Sequence, residues 1–227
     1  MIPLRDKNPT RSFPLITILL IISNIAIFIY EISLPEEKLK EFILIYGAVP
    51  DEIINMTDFP PKNPIPIPLT LLTCMFLHGG ILHLLGNMLY LWIFGNNVED
   101  ALGKIKFIIF YILCGISASF AHIIMNPSSE IPMVGASGAI SGVLGAYMIL
   151  YPFARVDTLI PFFFYWRIVP VPAFFFILIW FLMQIAGASQ MSGNIAWFAH
   201  IGGFVAGIIL LFIIGKRTRK RRKIYFT

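Results

Sequence analysis

Six long apolar segments dominate this chain of 227 residues, and they constrain its fold more than any other feature. Lys, Arg, Asp and Glu make up 13% of the residues, whereas a soluble domain carries about 25%. The charges are also clustered, most densely between Lys216 and Lys223, which reads KRTRKRRK. This distribution predicts an all-α polytopic membrane protein with six transmembrane helices. The apolar segments are residues 14–30, 79–95, 106–125, 134–152, 170–188 and 194–215.

The basic residues predict how these segments are oriented. If the N-terminus is cytoplasmic, fourteen of the 17 Lys and Arg residues lie on the cytoplasmic side and three lie outside. Such an imbalance is the expected positive-inside distribution, and six spans return the C-terminus to the cytoplasm. No small-residue cleavage site follows the first span, so we expect it to be retained. The chain then divides into a cytoplasmic N-terminus (1–13), a six-span domain (14–215) with an outer loop (31–68), and a basic cytoplasmic tail (216–227).

The net charge of +5 does not indicate nucleic-acid binding in a chain of this kind. We expect the basic tail to face anionic lipid, which makes the lipid bilayer the first predicted partner. Cys74 and Cys114 stand alone in apolar segments and form no CxxC pair, so we expect both to be reduced packing residues. The sequence predicts neither a cofactor nor a metal ion.

Polar residues inside the apolar segments mark the candidate site, because ionisable groups within a membrane are costly and usually functional. His83 and Asn87 lie in the first turns of the second span, Ser137 at the start of the fourth, and His200 about six residues into the sixth. In the predicted topology, all three spans run from the outer to the inner side. Six residues of helix measure ~9 Å, so these polar residues share a similar shallow depth.

Small residues at four-residue spacing let two helices approach closely. They recur in the fourth and sixth segments, as Gly138 and Gly142 and as Ala199, Gly203 and Gly207. If the fourth and sixth spans pack on these faces, the hydroxyl of Ser137 comes within hydrogen-bonding reach of His200. Ser141, one turn deeper than Ser137, is expected to serve packing only.

These polar residues together predict acyl transfer. A serine hydroxyl is a weak nucleophile until a base takes its proton, which makes Ser137 the candidate nucleophile and His200 the candidate base. The tetrahedral intermediate needs hydrogen-bond donors for its oxyanion. Asn87 and His83 supply such donors, together with backbone N–H groups at the start of the fourth span.

No acidic residue is placed to complete a triad. After Asp100 the acids are Glu130 and Asp157, both in predicted loops. The sequence therefore predicts a Ser–His dyad, in which His200 is oriented by packing or by a neutral partner.

The candidate residues lie in motifs that resemble those of the rhomboid family of intramembrane serine proteases. GASGAISGVLGAY resembles the family's serine motif, AHIGGFVAG its histidine motif and FLHGGILHLLGNM its second-span motif. The stretch FGNNVEDALG resembles the glycine–glutamate stretch that closes that span, with Glu99 at the glutamate position. The motifs follow the family's order across residues 69–215. By resemblance, Ser137 is the nucleophile, His200 the base, and His83 and Asn87 the oxyanion site with the N–H of Ser137.

The resemblance also implies a fold and an activity. It implies a six-transmembrane-helix bundle whose short fourth span lies at the centre, with a water-filled cavity above the serine. The family cleaves transmembrane segments of other proteins, usually near their outer end, without a metal or a cofactor. The fifth span and the loop after it, about residues 170–193, would serve as gate and cap.

Two features depart from the family's pattern. Many members carry a Trp-Arg pair in the first loop, whereas the pair in this chain is Trp166-Arg167 on the predicted cytoplasmic side. Some members place an aromatic residue four positions after the serine, where this chain has Ser141. A ring packed on the base must therefore come from elsewhere.

Three further polar residues are expected to be structural. Glu99 lies a full span away from Ser137, so it is expected to form structural hydrogen bonds. His78 is expected to bond the loop or the start of the second span, and His122 lies near the outer end of the third.

Two alternative functions compete with proteolysis. A metal transporter would need three or four ligands at one site. The chain has only four histidines in total, and no carboxylate accompanies them, which counts against this alternative. A catalytically silent rhomboid-like protein would bind transmembrane helices without cleaving them. In the favoured hypothesis, transmembrane proteins are the substrates and the site opens to the outer face of a prokaryotic plasma membrane. The sequence indicates neither the physiological substrate nor the oligomeric state.

Overall fold

A computed structural model describes residues 1–162, 165–189 and 196–215 of the chain. Helices form most of the described part: α1 (Leu15–Ser33), α2 (Glu36–Tyr46), α3 (Pro50–Asn55), α4 (Ile67–Phe76), α5 (Ile81–Leu102), α6 (Lys104–Met125), α7 (Ser137–Leu150), α8 (Ala173–Ser189) and α9 (Trp197–Ile214). The strands are β1 (Ile2–Asp6), β2 (Arg155–Phe162) and β3 (Tyr165–Pro172). Each of the six apolar segments predicted from the sequence overlaps one of the longer helices. Helices α2 and α3 lie in the long loop after the first segment.

Length and composition support fewer spans than the sequence predicts. Within the described residues, α1, α6 and α9 are long and apolar enough to cross a membrane. Helices α4 and α5 form a fourth candidate if they are one span, bent by 83° at the break between them. Helices α7 and α8 are apolar but shorter, with 14 and 17 residues. The count of six spans therefore stays a prediction.

Helix α7 lies at the centre of the bundle. Its residues from Gly138 to Tyr147 are all buried, as expected of a helix with apolar or small residues on every face. It packs mainly against α6 and α9, with fewer contacts to α5 and α8. The central position implied by the resemblance is confirmed, and Ser137 stands at the first residue of this central helix.

A three-stranded antiparallel sheet corrects the all-α prediction. Strand β2 pairs with β1 on one side and with β3 on the other, with Ile2 opposite Leu159 and Ile160 opposite Arg167. Residues 155–172 are rich in β-branched and aromatic side chains, which favour extended structure. The prediction treated residues 153–169 as a loop and began the fifth helix at residue 170, whereas strand β3 continues to Pro172.

Two aspartates tie the sheet together and to the bundle. The carboxylate of Asp157 lies 2.8 Å from Nε of Arg5 and 3.1 Å from Nζ of Lys7, and these cations lower its pKa. Asp6 accepts hydrogen bonds from the hydroxyl of Tyr147 at 2.8 Å and from Nδ2 of Asn97 at 2.7 Å. Burial raises the pKa of Asp6 despite these bonds.

Glu99 caps the first residues of α1. Pro14, which precedes that helix, offers no side-chain cap. The buried carboxylate of Glu99 instead accepts bonds from the N–H of Ile16 at 3.1 Å, the N–H of Thr17 at 2.8 Å and the Thr17 hydroxyl at 2.8 Å. Helix α5 ends three residues later, at Leu102, and Gly103 turns the chain into α6 with a φ of +83°. The expected structural role of Glu99 is confirmed.

Two sequence predictions concern residues outside the described ranges. One is the basic tail, residues 216–227, and the other is the part of the predicted cap at residues 190–193.

Candidate active site

Ser137 and His200 are in direct contact. Nε2 of His200 lies 2.8 Å from Oγ of Ser137, between the first turns of α9 and α7. Nδ1 of His200 lies 2.8 Å from Oε1 of Gln184 on α8, and Nε2 of Gln184 donates to the carbonyl of Trp180 at 2.7 Å. Because that carbonyl accepts only, the amide presents its oxygen to His200. The proton of a neutral His200 therefore sits on Nδ1, and Nε2 is free to accept the proton of Ser137.

Gln184 is the functional residue that sequence reasoning missed. The prediction left His200 oriented by packing or by a neutral partner, and the structure supplies the neutral partner. The signal was present in the sequence, because Gln184 is the one amide side chain in the apolar segment 170–188. Glutamine carries no charge, so it is a weaker signal within an apolar segment than an ionisable side chain.

Two tryptophans provide the aromatic surroundings that Ser141 does not. The rings of Trp180 and Trp197 lie 6.1 Å and 6.2 Å from the ring of His200, between centroids. Ser141 is fully buried and donates to the carbonyl of Ser137 at 2.7 Å, a bond within α7. Its predicted packing role is confirmed.

Glycines bring α7 and α9 together as predicted. A Cβ atom at Gly203 would collide with the carbonyl of Gly138, and one at Gly207 would collide with the carbonyl of Gly142. The two helix backbones are thus in contact through residues that lack side chains. This close approach places the first turn of α9 beside the first residue of α7, which is why His200 reaches Ser137.

His83 and Asn87 lie against the backbone just before Ser137. A Cβ atom at Gly135 would lie 2.8 Å from Nε2 of His83 and 3.6 Å from Nδ2 of Asn87. Gly135 also has a φ of +121°, and its N–H donates to the carbonyl of Cys74 at 2.8 Å. The two predicted oxyanion donors therefore converge two residues ahead of the candidate nucleophile.

The hydrogen bonds of His83 fix which of its nitrogens can donate. Nδ1 accepts from the N–H of Gly79 at 3.4 Å, so the proton of a neutral His83 sits on Nε2, the nitrogen nearer Gly135. No side chain in the described residues caps α7, whose first residue is Ser137. Its first N–H groups, which carry the positive end of the helix dipole, are available to an anion beside them.

The other two histidines have different surroundings. His78 is buried between α4 and α5, with its N–H on the carboxylate of Glu31 and its Nε2 3.0 Å from Nδ2 of Asn87. The predicted bond at the start of the second span is confirmed. His122 lies in the last turn of α6, and its Nδ1 has no partner within the described ranges.

Among the residues described, no group of three or more His, Cys, Asp or Glu side chains is arranged to hold a metal ion. The four-histidine transporter alternative therefore gains no geometric support from this part of the chain.

Comparison with known proteins identifies the fold family. The model of the Rhomboid domain matches residues 68–217. Rhomboid protein 1, mitochondrial, of Saccharomyces cerevisiae is 30% identical over 171 residues, which cover 71% of this chain and 46% of that protein. RHOMBOID-like protein 2 of Arabidopsis thaliana is 36% identical over 144 residues, covering 63% and 41% of the two chains. Rhomboid protease GluP of Bacillus subtilis is 45% identical over 78 residues, covering 34% and 15%.

The matched regions span less than half the length of each of these relatives. The Rhomboid domain match includes the candidate residues of all four motifs and by itself covers more than half of this chain. With its long apolar helices and this match, the chain is an integral membrane protein that belongs to the rhomboid family.

Proposed function

We propose that this protein is an intramembrane serine endopeptidase that cleaves transmembrane segments of other membrane proteins. The observation that carries the proposal is the 2.8 Å contact between Oγ of Ser137 and Nε2 of His200, with Gln184 holding the other ring nitrogen. A serine whose hydroxyl bonds an oriented imidazole has the arrangement that nucleophilic catalysis requires. The relative from Bacillus subtilis carries the name Rhomboid protease, which agrees with this assignment.

The first half of the reaction forms an acyl-enzyme. Oγ of Ser137 attacks the carbonyl carbon of the scissile peptide as its proton passes to Nε2 of His200. The carbonyl oxygen becomes an oxyanion on the tetrahedral carbon. When the carbon–nitrogen bond breaks, the amine takes the proton from Nε2 and leaves.

The second half restores the enzyme. Nε2 of His200 takes a proton from water, and the hydroxide attacks the acyl carbon to form a second oxyanion. Collapse breaks the ester to Ser137, and Oγ regains the proton from Nε2. The net reaction adds one water to one peptide bond. Gln184 keeps the same ring nitrogen of His200 available at every step, because its oxygen accepts from Nδ1–H throughout.

Three kinds of donor surround the place where the oxyanion forms. They are Nε2–H of His83, the amide nitrogen of Asn87, and the N–H groups at the start of α7. Donors fixed before the reaction stabilise the developing charge without reorganising, and one such donor contributes about 10²–10³ in rate. Asn87 and His83 are therefore assigned to the oxyanion site.

The location of cleavage follows from the predicted topology. The distribution of Lys and Arg predicts that both termini lie in the cytoplasm, and in this topology Ser137 faces the outer side. We assign the protein to a prokaryotic plasma membrane on the sequence, although one of its relatives is named as mitochondrial. A substrate would be cut near the outer end of its transmembrane helix.

Cleavage in liposomes tests the proposal. Wild type and the Ser137→Ala variant are reconstituted with a transmembrane substrate, and fragments are measured by gel and mass spectrometry. Ser141→Ala is the matched control, because Ser141 lies on the same helix and its side-chain hydrogen bond, among the described residues, stays within that helix. We expect cleavage by wild type and Ser141→Ala and none by Ser137→Ala. Equal cleavage by Ser137→Ala would overturn the proposal, and binding without cleavage by wild type would favour the silent binder.

A further inference from the structure

The buried imidazole of His78 forms a hydrogen bond with Asn87, one of the two assigned oxyanion donors, and packs edge-on against the ring of His83, the other. Its Nε2 lies 3.0 Å from Nδ2 of Asn87, and both residues are buried. His78 is not near enough to His200 to form a bond with it in the described structure, and the mechanism above gives it no step. Asn87 is the side chain to which its ring is hydrogen-bonded, and the backbone of Phe76 also lies against the ring.

The chemistry of this contact decides which nitrogen of His78 is protonated. An amide nitrogen has two N–H bonds and accepts none, so Nε2 of His78 must be the acceptor. The proton of a neutral His78 then sits on Nδ1, which is buried. The bond to Asn87 therefore fixes this tautomer.

The same end of the Asn87 amide faces both His78 and the candidate site. Of the atoms of Asn87, Nδ2 lies nearest Gly135, at 3.6 Å from the position of a Cβ there. One of its hydrogens bonds His78, and the second is left for an oxyanion beside Gly135. If Nε2 of His78 carried a proton, the amide would turn its oxygen to that side. A carbonyl oxygen would then face the oxyanion, and the donor would become a repelling group.

Helix α1 holds His78 in place. Both carboxylate oxygens of Glu31, near the C-terminal end of α1, lie 3.3 Å from the N–H of His78. Glu31 is 1% exposed, and no other hydrogen bond to its carboxylate is seen among the described residues. The ring of Phe28, one turn earlier on α1, packs edge-on against His78 at 6.5 Å. The position of His78 is thus set by a helix that contributes nothing else to the site.

We propose that His78 is a positioning residue that selects the donor end of the Asn87 amide, and that Glu31 fixes the backbone from which His78 does so. This inference rests on the proposed function and adds to it a chain of contacts from Glu31 through His78 to Asn87. His78 touches no reacting atom. Its hydrogen bond to the oxyanion site is the one to Asn87, and its ring also packs edge-on against His83 at 5.2 Å between centroids.

A double-mutant cycle tests the inference, with kcat for a transmembrane substrate as the readout. His78→Phe keeps a buried ring but removes the acceptor, and we expect kcat to fall about tenfold with KM unchanged, as for the loss of one net hydrogen bond. In the Asn87→Ala background, the same substitution should change kcat less than about twofold, because the group it positions is gone. His78→Gln, whose side-chain oxygen can accept from Asn87, should recover most of the loss.

His122→Phe is the matched control. It replaces another histidine near the same end of the bundle that does not bond Asn87, and its effect should be equal in the two backgrounds. Thermal unfolding of every variant shows whether it folds, and His78→Gln carries the test if His78→Phe does not. Additive losses from His78→Phe and Asn87→Ala, with cleavage still dependent on Ser137, would overturn the role of His78 only. Cleavage that persists in Ser137→Ala would overturn the proposed function, and this inference with it.

Discussion

The two ends of the helix bundle both bury polar side chains, but they use them differently. At the serine end, defined by Ser137, His200 and Asn87, the side chains are joined by single hydrogen bonds, and the second N–H of the Asn87 amide is left for a further group. At the carboxylate end, defined by Glu99 and Asp6, each carboxylate is bonded by several donors from other elements. Tyr147 at that end and Ser137 are ten residues apart on α7, about 15 Å.

This contrast shows that burial alone does not identify a reactive site. A buried carboxylate with three donors, such as Glu99, is satisfied and holds α1 to α5. A buried amide such as Asn87 uses one N–H in its bond to His78, and its nitrogen lies 3.6 Å from the position of a Cβ at Gly135. The incompletely bonded groups are the ones prepared for a transition state, because they gain a bond only when charge develops.

The largest effect on turnover short of removing the dyad is expected at Asn87. Asn87→Ala should lower kcat by about 10²–10³ and leave KM nearly unchanged, because an oxyanion donor acts mainly in the transition state. Asn97→Ala is the control, since Asn97 is a buried amide at the carboxylate end that bonds Asp6. Steady-state kinetics on both variants checks this, and a rise in KM alone for Asn87→Ala would contradict the assigned role.

Replacing Glu99 should have the opposite character. Glu99→Ala leaves three donors at the start of α1 without an acceptor, and each buried unsatisfied donor costs about 1–3 kcal/mol. We expect the free energy of unfolding to fall by about 3 kcal/mol or more, while kcat per folded molecule stays the same. Unfolding in mixed micelles together with active-site titration measures both quantities. A selective loss of kcat with normal stability would place Glu99 in the chemistry instead.

Gln184 should show an intermediate effect on turnover. Gln184→Leu removes the acceptor for Nδ1–H of His200, and one net hydrogen bond corresponds to about a tenfold fall in kcat. Gln184→Glu keeps an acceptor oxygen and should recover much of the rate. The recovery is the informative measurement, because a residue that served packing alone would be rescued better by leucine than by glutamate.

The smallest effect is expected at the sheet. Arg5 and Lys7 lower the pKa of Asp157 below its ordinary value. A lowered pKa in the folded state contributes stability that is present above the ordinary pKa and is lost as the pH falls through the lowered one. Wild type should therefore lose thermal stability on acidification more steeply than Asp157→Asn, with a modest difference because Arg5 is exposed. Parallel melting curves of the two proteins between pH 7 and pH 3 would contradict this.

Local patterns carried the prediction of the helices and the dyad. Apolar runs predicted the helices, and small residues at four-residue spacing predicted the contact of α7 with α9, which the structure confirms at Gly203 and Gly207. Given that contact, the pairing of Ser137 with His200 follows from their positions at the same end of neighbouring helices. These features could be predicted because they depend on residues within a few turns of one helix.

Contacts between distant parts of the chain could not be predicted in the same way. Strand β1 pairs with a strand about 150 residues later, and its extended form depends on that partner. Glu99 caps a helix that begins more than 80 residues earlier. His78 and Asn87 are nine residues apart and bonded, but His78 lies in the break between α4 and α5. Helical periodicity therefore does not relate the direction of its side chain to that of Asn87.

The most direct test of the Ser137–His200 dyad is covalent labelling of the serine with a fluorophosphonate, located by peptide mass spectrometry. We predict one adduct, on Ser137, in wild type, and none in Ser137→Ala. Since a general base contributes about 10²–10⁴ in rate, labelling of Ser137 should slow by at least about 100-fold in His200→Ala. An adduct on Ser141, or labelling of Ser137 at the same rate with and without His200, would contradict the claim that His200 activates Ser137.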